Sequence, residues 1–157
     1  MRRFTLALIA ATSLLASVSA SALTAKQIVE KETVVQMPDG SETVTRSKAA
    51  NIAPGERVVY TLSFTNDKVE PASDLVLTMP VPDEIKYMDG TATREGASIV
   101  FSADGGQTFA PRDNLQTSTG GVTRTATADD ITHIRWTVAG PVAAGETGNL
   151  SYKGVLK

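Results

Sequence analysis

From Glu56 to Asn66 the chain reads ERVVYTLSFTN, with Val58, Tyr60, Leu62 and Phe64 on one side and Val59, Thr61, Ser63 and Thr65 on the other. Side chains of a strand alternate between its two faces, so this pattern predicts a half-buried β-strand with its dry face toward a core. The same period recurs three times. Leu75, Leu77 and Met79 alternate with Val76 and Thr78; Ile134, Trp136 and Val138 alternate with His133, Arg135 and Thr137; Leu150 and Tyr152 alternate with Ser151 and Lys153. Almost no stretch shows the three-to-four spacing of an amphipathic helix.

Between these runs stand clusters that reverse a chain: Pro38-Asp39-Gly40, Pro54-Gly55, Pro80 to Asp83, Asp89-Gly90, Asp104-Gly105-Gly106, Gly120-Gly121, Gly140-Pro141 and Ala144-Gly145. Proline presets φ and glycine supplies positive φ, which is what tight turns demand. Short strands with frequent reversals predict an all-β fold of about eight strands, an antiparallel sandwich of immunoglobulin-like type. Residues 26–48 stand apart. IVEKETVVQ, a Pro-Asp-Gly turn and SETVTRSKA predict an extra N-terminal hairpin, polar on both faces, at a sheet edge or projecting from it. Ser118 to Gly121 is expected to be a mobile loop.

The first residues have another use. Met1-Arg2-Arg3, an apolar stretch from Phe4 to about Leu15, and the small residues Ala20-Ser21-Ala22 have the three parts of a secretory signal peptide. The apolar stretch is about a dozen residues where a spanning helix needs roughly twenty, so it predicts a leader over residues 1–22 and no membrane span in what remains. Phe4 follows Arg3 too early for a twin-arginine signal, which leaves the general secretory route. Removing the leader takes away two of the fifteen Lys and Arg and none of the seventeen Asp and Glu, moving the formal charge from −2 to −4. Residues 23–157 are then expected to form one mildly acidic domain, exported to the periplasm or the cell exterior. Acidity argues against nucleic acid, which rewards clustered basic residues. The sequence has no cysteine. Disulfides, thiolate metal sites, cysteine nucleophiles and a lipid-modified cysteine are therefore excluded.

Pro54-Gly55-Glu56-Arg57-Val58-Val59-Tyr60-Thr61-Leu62 with Thr65-Asn66 resembles the opening of the bacterial conserved-repeat domain, domain of unknown function number eleven. Val81-Pro82 before Ile85 to Gly90, Ser102 to Phe109, Thr132 to Trp136, and Ala144 to Gly148 before the last strand follow in that family's order. The resemblance runs from about Lys26 to Lys157. It implies an immunoglobulin-like sandwich, export and a place on bacterial surfaces or in envelope compartments, and it implies no enzyme activity, active residue or cofactor.

Ser102-Ala103-Asp104-Gly105-Gly106-Gln107-Thr108-Phe109 matches the Asp-box pattern S-x-D-x-G-x-T-[WF], familiar from sialidases and other propeller proteins. One copy cannot build a propeller, so the motif is expected to stabilise a turn: Asp104 accepts backbone N–H groups, Gly106 permits the geometry, and Phe109 tucks beneath. His133 is the sole histidine and is expected on the solvated side of its strand. Trp136, the sole tryptophan, and Tyr60 are expected to anchor the core. Asp83-Glu84 and Asp129-Asp130 are expected to be solvated turn acids, with calcium at either place the alternative. Lys26 or Lys31 with Asn149 could imitate the lysine–asparagine crosslink of some surface sandwiches, given a buried acid to move protons.

These readings converge on an exported, non-enzymatic interaction or structural module of the bacterial envelope or surface. Its expected partner is another envelope or surface protein, or a second copy, held through a sheet edge or loops. The alternative is a carbohydrate- or envelope-polymer-binding domain, and eight aromatics, with Phe4 in the leader, offer little stacking surface for it.

Overall fold

The computed structural model describes residues 23–93 and 96–157. The leader expected over residues 1–22 lies outside the described residues. Ten strands are present among those described, where the alternation predicts about eight: β1 Leu23–Gln36, β2 Glu42–Lys48, β3 Arg57–Asn66, β4 Val76–Pro80, β5 Ile85–Tyr87, β6 Ala97–Ser102, β7 Gln116–Thr119, β8 Val122–Thr125, β9 His133–Val138 and β10 Thr147–Leu156. All pairings are antiparallel. One sheet has the order β2-β1-β3-β10-β5, a second β4-β9-β6, and β7 with β8 makes a separate hairpin.

The chain passes between the two sheets at β3 to β4, β4 to β5, β5 to β6 and β9 to β10, and their facing side chains form one core. Val58, Tyr60 and Phe64 of β3, Leu150 and Tyr152 of β10, and Ile85 and Tyr87 of β5 meet Met79 of β4, Phe101 of β6, and Ile134, Trp136 and Val138 of β9. The predicted alternation is visible here. Two contacts tie the layers: Tyr152 donates its hydroxyl to Pro80 O at 2.7 Å, and the Tyr87 and Phe101 rings lie 5.4 Å apart. The protein is thus all-β, and its antiparallel sheets around one core are consistent with a β-sandwich.

Two turns of the same design start the longest core strands. In residues 53–56 and 143–146 a glycine at positive φ, Gly55 (88°) or Gly145 (71°), precedes a glutamate. The glutamate N–H donates back to the first carbonyl at 3.0 Å in each turn. Its carboxylate accepts the first residue's N–H, Ala53 at 2.8 Å and Ala143 at 2.7 Å. Closing both the main-chain and the side-chain ring fixes the angle at which β3 and β10 enter the sheet.

The N-terminal hairpin stands at the edge of the larger sheet and projects from it, with β2 outermost. β1 is no edge strand: Leu23 to Glu32 pair with β3 along its whole length, and β2 forms the edge. Only residues 33–45 run on past the start of β3, as an arm closed by the turn Met37 to Ser41. Met37 N donates to Ser41 O at 2.8 Å, Gly40 N donates to Met37 O at 2.9 Å, and Asp39 Oδ1 accepts Ser41 N and Oγ at 2.9 and 2.6 Å. Polarity on both faces has a simple cause: a three-stranded layer cannot cover five strands, so most of β1 and all of β2 lie beyond the shared core.

The expected loop at Ser118–Gly121 is instead the tip of the β7–β8 hairpin. Gly120 and Gly121 both take positive φ, 59° and 81°, as a two-residue hairpin turn requires.

Gly154 marks the tightest approach in the larger sheet. A Cβ there would lie 2.2 Å from Ile85 Cγ2 and 3.0 Å from Lys86 O, so only glycine lets β5 close on β10. Overpacking of this kind costs about 1–3 kcal/mol. Gly154→Ala is expected to lower the unfolding free energy measured by chemical denaturation by that much, and the loss should shrink in an Ile85→Ala background, where the clashing methyl is gone. Equal losses in both backgrounds would show that the clash is not the cause.

Candidate functional site

Three places combine exposure with organised chemistry: the arm with its root, the Asp-box hairpin, and a groove between the edges of the two sheets.

At the root of the arm lies a buried carboxylate. Glu32 sits on the outer face of β1, opposite Arg46 of β2 and Arg57 of β3, with its side chain only 1 % exposed. Lys153 of β10 donates to Glu32 Oε1 at 2.8 Å and lies 2.7 Å from Oε2, while Arg46 Nε lies 3.5 Å from Oε2. Burial opposes ionisation of Glu32, and Lys153 together with Arg46 outweighs it, holding the carboxyl below its usual range. To reach Glu32 from β10 the Lys153 side chain crosses β3 beside Val59, its neighbour in register. Val59, placed by the alternation on the wet face, is accordingly 1 % exposed: the lysine stem supplies the cover.

Beyond this clamp the arm is uncovered. Every residue of β2 is exposed. Val35 and Met37 on one face and Val44 on the other are 46 %, 43 % and 51 % exposed.

The Asp-box closes the reversal after β6. Ser102 donates its hydroxyl to Asp104 Oδ1 at 2.6 Å and accepts Gly106 N at 2.9 Å. Gln107 N and Thr108 N each donate to Asp104 Oδ1 at 3.0 Å, and Thr108 Oγ1 donates to Oδ2 at 2.5 Å. These donors, Ser102 first and then Thr108, hold the Asp104 carboxyl down to about 2. Gly106 has φ of 85°, and the His133 ring packs over it, 3.4 Å from where a Cβ would stand. Phe109, the aromatic that ends the motif, has one ring face against a cation. It is half-buried, with the Arg135 guanidinium 3.5 Å above its ring on the outer face of β9. Arg135 alternates with Trp136, so stacking on the outer face is the contact open to it.

Trp136 is fully buried on β9 between Leu77 and Ile99 in register, and its indole Nε1 has no hydrogen-bond partner among the described residues. Tyr60 stacks on Tyr152 at 4.9 Å with the rings 8° from parallel. His133 meets Thr132 Oγ1 at 3.2 Å and gathers no acids. Among the described residues no group of three or more His, Cys, Asp or Glu is placed to hold a metal.

Of the acidic pair, Asp129 is exposed as expected of a turn acid, while Asp130 is half-buried against a base. Asp130 accepts Arg124 through both oxygens at 2.7 and 2.8 Å and also Thr127 N and Oγ1, which drives its carboxyl far down; Asp129 lies 3.0 Å from Lys86 Nζ. Asp83 contributes its carbonyl to Lys157 at 2.8 Å. Lys26 and Asn149 share the outer face of the larger sheet, with Ser63 of β3 between them, and both are exposed; Lys31 is on the opposite face, paired with Glu56 at 2.5 Å. Neither lysine is brought to Asn149.

Sequence reasoning missed Asn66. This buried side chain donates to Glu70 O at 2.9 Å, Val142 O at 3.0 Å and Ala143 O at 3.3 Å, and accepts Lys68 N at 3.1 Å, joining the loops after β3 and β9. The available signal was an asparagine ending a strand before a polar loop.

The groove, of about 900 Å³, lies between β5 and β6, bordered by Ile99, Ala92, Ala126 and the Arg112–Asp89 pair at 2.6 Å. Its aromatics, Tyr87 and Phe101, are buried in the core. No helix among the described residues is long and apolar enough to cross a membrane.

No family model, no curated protein and no solved structure matches the chain.

Asp104 gives a pH signature. Because its carboxyl is depressed to about 2 from 3.8, the stability it lends is complete above the ordinary carboxylate value and drains away as pH falls toward the lower one. Hydrogen bonds to an ionised group contribute about 1.5–3 kcal/mol when shielded, and exposure reduces this. Asp104→Ala is expected to cost about 1 kcal/mol at neutral pH. In paired melting curves the gap between wild type and variant should close below the ordinary carboxylate range; a gap independent of pH would remove the carboxylate from the account.

Proposed function

We propose that this protein is an exported, non-enzymatic interaction module of the bacterial envelope or surface, built as an immunoglobulin-like sandwich, that binds a protein partner through its β1–β2 arm. The observation that carries this reading is the arm itself. It extends beyond the shared core, exposes all of β2, and leaves Val35, Met37 and Val44 uncovered, while the Glu32–Lys153–Arg46 clamp anchors its root. An unpaired strand edge lets a partner strand complete main-chain hydrogen bonds.

Export, to the periplasm or beyond the cell, rests on the leader pattern of residues 1–22, and the immunoglobulin-like reading on the likeness of residue order to the conserved-repeat domain. The two antiparallel sheets around Trp136 support the latter. For the polymer-binding alternative the groove beside Ile99 is the one favouring observation. Against it, the described aromatics are buried, apart from half-buried Phe109 with Arg135 stacked on it, and a sugar ring finds no open platform.

Replacing residues 34–44 by Asn-Gly joins Thr33 to Thr45 by a two-residue turn and leaves the Glu32 clamp in place. The shortened protein is expected to melt within a few degrees of wild type and to lose at least about tenfold in affinity for a partner captured by crosslinking in envelope extract. Undiminished capture, or saturable binding on a glycan array run alongside, would reverse the choice.

A further inference from the structure

The free edge of β2 carries a sequence that complements itself. We infer that a second copy of this chain pairs with it, β2 against β2 about a two-fold axis through Thr45. The inference rests on the arm being the binding element and names its partner.

The phase of the ladder is fixed at both ends. Met37 N donates to Ser41 O at 2.8 Å and Ala49 N donates to Val29 O at 3.3 Å, so with antiparallel alternation Thr43, Thr45 and Ser47 bond inward to β1. Glu42, Val44, Arg46 and Lys48 therefore turn their main-chain N–H and C=O groups outward; Lys48 O also accepts Ala50 N at 2.8 Å. A second antiparallel strand can bond only if its own outward set meets this one.

That condition, with the two-fold axis, leaves few registers. Centring on Thr45 pairs Glu42 with Lys48, Thr43 with Ser47 and Val44 with Arg46, and uses all seven residues of β2. Each end then matches acid to base, twice per dimer. A shift toward the root sets Arg46 against Arg46. A shift toward the tip keeps only five residues and asks Arg46, already beside Glu32, to serve Glu42 as well. The acid-first, base-last order also opposes parallel in-register stacking, where like charges would face one another. Glu42, Val44, Arg46 and Lys48 share the outer face, as their partners Gln36, Val34, Glu32 and Glu30 do, so a two-fold axis normal to the sheet keeps outer face with outer face. Pairing consumes the edge in each copy, so this interface closes at two.

Sedimentation of the purified protein across roughly 1 μM to 1 mM tests this. A monomer–dimer equilibrium is expected. Glu42→Lys and Lys48→Glu should each weaken it about tenfold, because two attractive cross-strand pairs become repulsive, and the double exchange should restore it. Val44→Pro, which deletes an outward N–H that β1 does not use, should abolish the dimer while melting stays close to wild type. A protein monomeric throughout this range overturns the inference, as does rescue of Glu42→Lys by Arg46→Glu instead of Lys48→Glu, which would prove the slipped register. If the monomer still requires the arm to capture an envelope protein, the arm's role survives and only self-pairing fails; if capture too ignores the arm, both fail.

Discussion

Five strands face three. That mismatch in width shapes the rest of the molecule, because the smaller sheet can bury only the part of the larger one that lies opposite it. β3, β10 and β5 spend their inner faces on the core and carry its apolar side chains. Leu23 and Val29 of β1 still pack against the margin of that core, but the rest of β1 and all of β2 lie beyond it, where burying apolar residues would gain nothing in the isolated chain. Their composition follows: mostly threonine, lysine, glutamate and glutamine, with scattered aliphatic residues. What holds this overhang is main-chain pairing to β3 and one buried ionic clamp at Glu32, and a clamp of that kind costs desolvation that only close cations offset.

Much of the core was legible in the sequence, because alternation is a local property. Val58, Tyr60, Leu62 and Phe64, or Ile134, Trp136 and Val138, reveal their common face without knowledge of neighbours. The Asp-box was legible for the same reason, since the hydrogen bonds to the Asp104 carboxylate come from Ser102, Gln107 and Thr108 close by in the chain. What escaped depends on residues distant in the chain. Val59 is dry because Lys153 crosses it to reach Glu32. Phe109 meets Arg135, a residue of another strand, and the motif alone does not announce that contact. β7 and β8 escaped differently: QTST and VTRT lack an apolar face, and only the double glycine between them signals a hairpin.

For the candidate site, the hairpin was readable as polar and peripheral, but its division was not. The alternation contains no mark showing that residues 23–32 belong to the sheet while 33–45 project, since that boundary is set by where β3 begins at Arg57. The outward phase of β2 likewise emerges only from the turn at Met37 and Ser41. β2, exposed along its whole length at the edge of the larger sheet, suits recognition by contact, because its outward main-chain groups are open to a further strand.

Residue-resolved amide hydrogen exchange tests this division most directly. In dilute solution the amides of β3 between Val58 and Phe64 and those of β9 should be the last to exchange, while residues 33–45 exchange at least about a hundredfold faster, having only one partner strand and no layer above them. Uniform protection from β1 to β10, or an arm that outlasts β3, would contradict a core confined to the overlap of the two sheets.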